Sequence, residues 1–384
     1  MVRFLPLLFL AVHVGAVFGD AAPMTAVTST ASEHIKYYND LVESLPSLQG
    51  KCVAITGTTS GLGYWAALAT VKKNASCLIM LNRQSKRSVT AEDEIRKQAL
   101  PGVAVITVTC DLENISSVHE AAANVNHIVS KFGGLDVLAL NAGIMSQPDT
   151  RTADGYDVTM QTNHLSHFLL TKLLMTSLQA AARNGHEVRI VTHSSLTRGT
   201  SKTFEGGGPV DAKYYMKSPA GTLGGDGDSG SRERYHQSKL ANIIFAMALH
   251  SRFARAAQYS NFKALAAAPG FADTSLKIPA AENHPWIKDL VALSAEDGSC
   301  SILTAMYAPS AKSGDFYEPE YLSIGPPIKV IAQGVPLSPH FPRHLTGIRD
   351  QEVCDEAAQA KMWNATEVGL GETFVVEEPL LILV

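Results

Sequence analysis

The sequence predicts a doubly wound α/β fold, in which a parallel sheet is covered by helices on both faces. Three observations carry this expectation. Six short apolar runs, each the length of a strand, recur between residues 51 and 267 and are separated by amphipathic stretches of helical length. The runs are continuously apolar rather than alternating, as strands buried on both faces must be. Right-handed crossovers between parallel strands then place the intervening helices on the two faces in turn.

The elements follow in order. Lys51–Thr56 (KCVAIT) reads as the first strand and Gly61–Lys73 as the helix after it. Ser76–Leu81 (SCLIML) is the second strand. Its helix is expected to open at Thr90, with Glu92, Asp93 and Glu94 in a first turn where the helix dipole favours acids. Val103–Thr109 is the third strand, and Ile115–Phe132 a helix stopped by Gly133-Gly134. Val137–Leu140 is the fourth strand, followed by a helix running to Ala182. Val188–Thr192 is the fifth, with a helix from Glu233 to Phe253, and Phe262–Ala267 the sixth.

Other segments fall outside this rhythm. Arg3 followed by the apolar stretch Phe4–Phe18, with small residues near Gly19, reads as a signal or anchor segment over 1–19. It is shorter than the ~20 residues of a membrane span. A linker and an amphipathic helix (Ser32–Leu48) fill 20–48, and the core domain is expected over 49–308. The Ala/Ser/Thr-rich stretch after the signal leaves open a two-part organelle address, such as a plastid's, instead of the secretory pathway or endoplasmic reticulum. Asn74, Asn114 and Asn364 head glycosylation sequons. Within the domain, residues 197–232 form a glycine-rich insert, expected to be a loop or lid with Tyr214 and Tyr215 as its contact residues. After residue 309 prolines accumulate, and 309–384 reads as an extension packed on the domain.

Composition narrows the function. Of 384 residues, 46% are hydrophobic and 18% charged, which excludes wholesale disorder, collagen and coiled coil. Lys plus Arg number 32 against 36 Asp plus Glu, with no basic block, so no nucleic-acid partner is expected. Five Cys in a chain this long make no disulfide scaffold, and no metal site is read.

Chemistry concentrates at the carboxyl ends of the expected strands. The first strand runs into Thr56-Gly57-Thr58-Thr59-Ser60-Gly61-Leu62-Gly63 and then a helix. In that context glycines let backbone N–H groups approach a pyrophosphate at the helix N-terminus. After the second strand stand Asn82 and Arg83, then Lys86 and Arg87, with no acid before Glu92. An acid there would repel a 2′-phosphate, whereas Arg83 can pair with it in a fork, so NADP(H) is expected ahead of NAD(H). The third strand ends near Asp111-Leu112 and the fourth at Asn141-Ala142-Gly143. Tyr235 and Lys239, four apart, share a helix face. A phenol with a pKa of ~10 exchanges protons poorly at neutral pH; a nearby ammonium lowers that value and makes a usable acid/base pair. Ser195, beyond the fifth strand, can hydrogen-bond a substrate carbonyl beside it.

TGTTSGLG, NAG, TNHLSHFLL, RIVTHSS and YHQSK, in this order, resemble the short-chain dehydrogenase/reductases. The text around YHQSKLANIIFAMAL and APGFADT looks most like the retinol dehydrogenase-like branch and is also similar to protochlorophyllide reductases. The similarity covers Gln49 to Thr274 and thins out afterwards. It implies that Tyr235 is the acid/base, that Lys239 holds the nicotinamide ribose and tunes Tyr235, that Ser195 polarises the carbonyl, and that Asn163 positions a relay water. It implies that Gly57, Gly61 and Gly63 bind the dinucleotide, with Asp111 near the adenine, Asn141 lining the cofactor and Thr274 at the carboxamide. Ser60, Leu62, Leu112, Ala142, Gly143, Pro269 and Gly270 would complete that lining. His193 stands where the family more usually has a small or apolar residue. The expected reaction is NADP(H)-dependent reduction of a carbonyl or oxidation of an alcohol. Aromatic and aliphatic residues near the crevice (Phe204, Tyr214, Tyr215, Leu276, Trp286) suit a lipophilic aldehyde or ketone of retinoid, steroid or fatty type. A protochlorophyllide-type reductase and a non-catalytic dinucleotide-binding scaffold are the alternatives. Membrane association and oligomeric state stay open.

Overall fold

The protein is described here from a computed structural model covering residues 37–199, 209–272, 293–320, 325–337 and 353–376. The expected signal segment and most of the linker lie outside these residues. So do residues 200–208 of the insert and the stretch 273–292, which holds Thr274, Leu276 and Trp286.

Helix α1 (Tyr37–Ser44) precedes strand β1 (Cys52–Thr56), α2 (Gly61–Lys72), β2 (Cys77–Asn82), α3 (Lys86–Gln98), β3 (Ala104–Thr109), α4 (Ile115–Val129) and β4 (Val137–Leu140). A π-helical turn (Gln161–Leu165) leads into α5 (Ser166–Arg183), then β5 (Val188–His193), α6 (Asp228–Ala254), β6 (Phe262–Ala267) and α7 (Cys300–Tyr307). Strands β7 (Phe316–Pro319), β8 (Pro327–Ala332) and β9 (Val335–Pro336) and helix α8 (Glu356–Leu370) close the chain. The strands form one sheet in the order β3-β2-β1-β4-β5-β6-β7-β8-β9. The first seven are parallel and the last two add an antiparallel hairpin. The doubly wound fold is thus the one expected. Strand order reverses between β1 and β4, and the crevice of such a fold lies at that switch point, beyond the carboxyl ends of the strands.

Two apolar layers flank the sheet. One, with Val53, Ile55, Leu78, Met80 and Leu303, packs under α1, α2, α3 and α7. The other, with Phe168, Leu174, Phe245 and Trp363, fills the space under α4, α5, α6 and α8. In α6 every residue from Glu233 to Leu249 is buried, as befits a helix enclosed on all sides rather than one with a single apolar stripe. Helix α8 supplies the outer cover: Trp363 packs edge-on to Phe168 (4.9 Å between centroids) and stacks on Phe374 (5.2 Å). The sheet therefore continues past residue 308, and the region that reads as a proline-rich extension contributes both strands and core.

Three expectations shift. Helix α3 opens at Lys86, four residues before Thr90, because Ser85 caps it. The Ser85 hydroxyl accepts from the Ser88 N–H, and the Ser88 hydroxyl from the Ser85 N–H, each at 3.1 Å. Ser85→Ala should cost about 1 kcal/mol of stability, the usual value of an N-cap; urea unfolding would measure it. Helix α6 opens at Asp228, inside the glycine-rich run that reads as loop. A Cβ on Gly230 would overlap the Gly224 carbonyl, so glycine serves there for close packing of loop on helix. Finally, Tyr214 and Tyr215 are core residues, 2% and 0% exposed, and do not face the crevice mouth as lid contacts.

The described part of the insert is tied down by buried charge. Arg151 Nη1 meets Asp149 at 2.7 Å, and its Nε and Nη2 donate to the carbonyls of Ser218 (2.8 Å) and Pro219 (2.7 Å). Asp149 also accepts from the N–H groups of Leu223 (2.7 Å) and Gly225 (2.9 Å). Arg234, fully buried beside Tyr235, donates to the carbonyls of Leu223, Gly225 and Gln147 and lies 3.4 Å from Asp157.

Candidate active site

The site is built outward from the end of β1. Thr56 Oγ1 accepts from the N–H groups of Asn141 and Ala142, both at 2.9 Å, and pairs with His167 Nε2 at 2.9 Å. Since two N–H groups already occupy the Thr56 oxygen as acceptor, its own hydrogen goes to His167. Asn141 Nδ2 donates to the carbonyls of Thr56 (2.9 Å) and Gly57 (3.2 Å), which fixes its amide orientation. Its Oδ1 faces His193 Nδ1 at 2.9 Å, so that nitrogen carries the proton. Burial, then the charge of Lys239, pushes the His193 imidazole down to about 3, and the ring is neutral.

The glycine turn has the shape a pyrophosphate needs. A Cβ on Gly63 would overlap the Gly57 carbonyl and the Asn141 amide, so helix α2 can approach the turn only with glycine there. Ser60, the N-cap of α2, has extended backbone and makes no side-chain cap, which leaves the first-turn N–H groups without a side-chain acceptor. Leu62 packs with Ala272 and Leu293 below the turn. Gly57 and Gly61 both take positive φ, +72° and +60°. These residues fit a dinucleotide phosphate on the α2 N-terminus.

At the adenosine side, Arg83 is exposed and pairs with Glu113 at 2.9 Å. The fold thus brings an acid to Arg83 that its sequence neighbourhood lacks. Arg87 Nη2 donates to Ser60 Oγ at 2.8 Å, placing a second guanidinium against the phosphate turn. Asn82 bridges the same turn, its amide bonded to Thr58 N and Oγ1 at 2.8 Å each. Asp111 follows β3, its N–H on Ser117 Oγ (2.9 Å), and the Leu112 carbonyl accepts from Ser166 Oγ (2.6 Å).

The reacting groups converge at β4, β5 and α6. Tyr235, 6% exposed, hydrogen-bonds Ser195 through its side chain. Burial pushes the phenol up to about 12, and the Ser195 bond offsets only part of that. This direction is opposite to the lowering expected from Lys239. Its ammonium is 5.7 Å from the Tyr235 ring centre and is held by the His193 carbonyl at 3.0 Å; burial pushes it down to about 8. A Cβ on Gly143 would stand 3.1 Å from Lys239 Nζ and 3.3 Å from Asn163 Oδ1, so that glycine makes room for both. Asn163, in the π-helical turn, donates to the Ile144 carbonyl and Ser238 Oγ (2.9 Å each) and accepts from the Ile144 N–H (2.8 Å). Its side chain is spent on fixing this loop against α6. Its backbone carbonyl faces His167 Nδ1 at 3.0 Å. Pro269 and Gly270 follow β6, with Gly270 at φ +69°; Thr274 lies outside the described residues. Among those residues no cluster of three His, Cys, Asp or Glu could hold a metal, and no helix is long and apolar enough to cross a membrane.

Thr56, Asn82, His167 and His193 were not among the expected site residues, and each holds a loop that is. Only His193 left a signal in the sequence, as an imidazole where the family more usually has a small or apolar residue.

A glycine turn under a helix N-terminus, followed by Ser, Tyr and Lys at the carboxyl ends of the strands, is the arrangement of a dinucleotide-binding α/β fold with reacting groups at its crevice. Residues 51–204 match the model of the short chain dehydrogenase family. The chain is 30% identical to polyprenol dehydrogenase of Danio rerio over 272 residues, 70% of this chain and 76% of that protein. It is 31% identical to retinol dehydrogenase 13 of Homo sapiens over 61% of this chain and 62% of that protein. A solved structure of an uncharacterised protein from Mycobacterium paratuberculosis superposes with a TM-score of 0.62 at 27% identity, covering 87% of this chain and 98% of that one. The chain spans 60–65% of the length of several curated relatives. It belongs to the short-chain dehydrogenase/reductase family.

Proposed function

We propose that the protein transfers hydride between NADP(H) and a lipophilic carbonyl or alcohol. The observation that carries this is Tyr235, buried beside the Lys239 ammonium and hydrogen-bonded to the half-buried Ser195, at the carboxyl ends of β4 and β5. The bound cofactor supplies the hydride; the chain supplies orientation, polarisation and a proton. Ser195 and Tyr235 hold the substrate oxygen, and Tyr235, protonated at neutral pH, donates to it as negative charge develops. Lys239 holds the nicotinamide ribose and keeps a cation beside the phenol. Retinol dehydrogenase 13 and polyprenol dehydrogenase are named for lipophilic alcohols, which supports a substrate of that class. The segment before residue 20 is proposed as a secretory-type signal. A panel of aldehydes, ketones and alcohols, run in the dark with NADPH, NADP, NADH and NAD, tests the activity. Turnover only under illumination would favour a protochlorophyllide-type reductase, and cofactor binding without any turnover would favour a scaffold.

Arg83 and Arg87 flank the place where a 2′-phosphate would lie, which supports NADP(H). Arg83 must leave an exposed pair with Glu113 to reach it, at little cost, because such pairs contribute ~0–1 kcal/mol. A charge-assisted bond to phosphate contributes about 1.5–3 kcal/mol, or roughly one to two decades of affinity. NADPH should therefore bind about tenfold or more tighter than NADH, and Arg83→Asp should level or invert the two. Fluorescence titration of both cofactors decides it; equal affinities in the wild type overturn the preference.

A further inference from the structure

The 3₁₀ turn Leu196–Gly199, directly after the serine, hangs from that serine's own atoms. The Ser195 carbonyl accepts from the Arg198 N–H at 3.1 Å and from Arg198 Nη1 at 3.2 Å, and Ser195 Oγ accepts from the Thr197 N–H at 3.3 Å. The Arg198 guanidinium is itself held from far along the chain. It pairs with Glu318 at 3.0 Å, both side chains 6% exposed, and lies 4.5 Å over the ring of Phe316. Phe316 and Glu318 alternate along β7 and so share one of its faces. Strand β7 is locked beside β6 by the pairings Ala266↔Phe316 and Ala267↔Tyr317 and by the Ala268 N–H on the Tyr317 carbonyl (2.9 Å), which brings Glu318 level with the crevice.

A buried ion pair is a poor source of stability, because apolar side chains of similar volume do as well. It does supply direction, since a guanidinium gripped by a carboxylate and a ring has one orientation left. Here that orientation points a donor at the backbone of the serine that hydrogen-bonds Tyr235. We propose that Arg198 and Glu318 are positioning residues for Ser195, so that a C-terminal strand sets the geometry of the reacting hydroxyl pair. This rests on the reading of Ser195 as the group that polarises the substrate carbonyl.

The test uses the full chain and compares Arg198→Met, Glu318→Gln and the double variant Arg198→Met/Glu318→Met. Four quantities are measured: Tm, NADPH affinity by fluorescence, amide hydrogen exchange at Thr197 and Arg198, and kcat and KM on the best carbonyl of the panel. Small misplacements at a reacting centre cost on the order of 10²-fold in rate. Each single variant should therefore lower kcat by about 10- to 100-fold, while KM and NADPH affinity stay within about threefold. Exchange at the two amides should quicken by about tenfold or more. In the double variant Tm should return towards wild type, because no unpaired charge remains, yet exchange should stay fast and kcat low. Recovery of kcat together with Tm would show that the pair only holds the fold, and unchanged exchange in all three variants would equally overturn the proposal. If a single variant does not fold, the double variant carries the comparison. Should the wild type turn over nothing on the panel, the catalytic reading of Ser195 falls, while the exchange data still decide whether the pair positions it.

Discussion

Replacing Tyr235 with Phe should lower turnover by about 10²–10⁴-fold, the range of a general acid/base contribution. The NADPH dissociation constant should change by no more than about twofold, because the ring still packs and no phosphate contact is assigned to the hydroxyl. Tyr235 is buried and its phenol pushed up to about 12, so in the free protein it is a full proton donor at neutral pH. The pH dependence should accordingly come from its neighbour. The Lys239 ammonium, pushed down to about 8 by burial, is charged below that pH and loses its charge above it. Carbonyl reduction should therefore decline on the alkaline side near pH 8, and Lys239→Met should remove that limb as well as weaken cofactor binding. Stopped-flow rates against pH, with NADPH titrations alongside, check both. Retention of more than about a tenth of the rate in Tyr235→Phe would exclude it as the acid, given the size of such contributions.

Arg234→Met should destabilise the fold by about 3–5 kcal/mol, the usual cost of removing one partner from a buried charge network. Its guanidinium donates to three carbonyls and neighbours Asp149 and Asp157, so methionine leaves those two buried carboxylates with Arg151 as their remaining arginine and frees Leu223, Gly225 and Gln147 from their donor. The deficit should depend on pH with a definite sign. Burial already pushes Asp157 up to about 6, against the Met160 N–H and the two arginines that hold it down. Without Arg234 it rises further, and the folded variant then keeps a proton that the unfolded chain, with an aspartate near ~3.9, gives up. A folded-state pKa above the unfolded one gives stability that is present at low pH and lost as pH rises through the folded value. The variant should thus be weakest, relative to wild type, near pH 8 and recover part of the loss towards pH 5. Urea unfolding at both values tests this, and an equal deficit at both would show that Asp157 takes no part.

The two variants divide the site between what can be read along the chain and what cannot. Tyr235, Lys239 and Ser195 stand in local patterns tied to strand ends, and a strand followed by glycines and a helix carries its own geometry. Arg234 precedes Tyr235 by one residue and has no such mark. Its partners Asp149, Asp157, Leu223 and Gly225 come from two separate loops, and only the folded chain shows that they meet. The glycine-rich insert misleads for the same reason. Glycine in a sequence signals freedom, yet at Gly230 it signals contact, because the atom it makes room for is the Gly224 carbonyl.

By itself, the sequence determined the six parallel strands, the phosphate turn and the order of the reacting groups. Each depends on periodicity or on residues adjacent in the chain, where local sterics and hydrogen bonding decide the outcome. Tertiary structure alone decided that the last fifth of the chain extends the sheet, and that Tyr214 and Tyr215 are core. It also decided that Arg83 meets Glu113, that burial raises Tyr235 rather than Lys239 lowering it, and that Glu318 reaches Arg198 beside the serine. Desolvation and ion pairing depend on which distant groups share a space once the chain is packed, and spacing along a sequence holds no record of that.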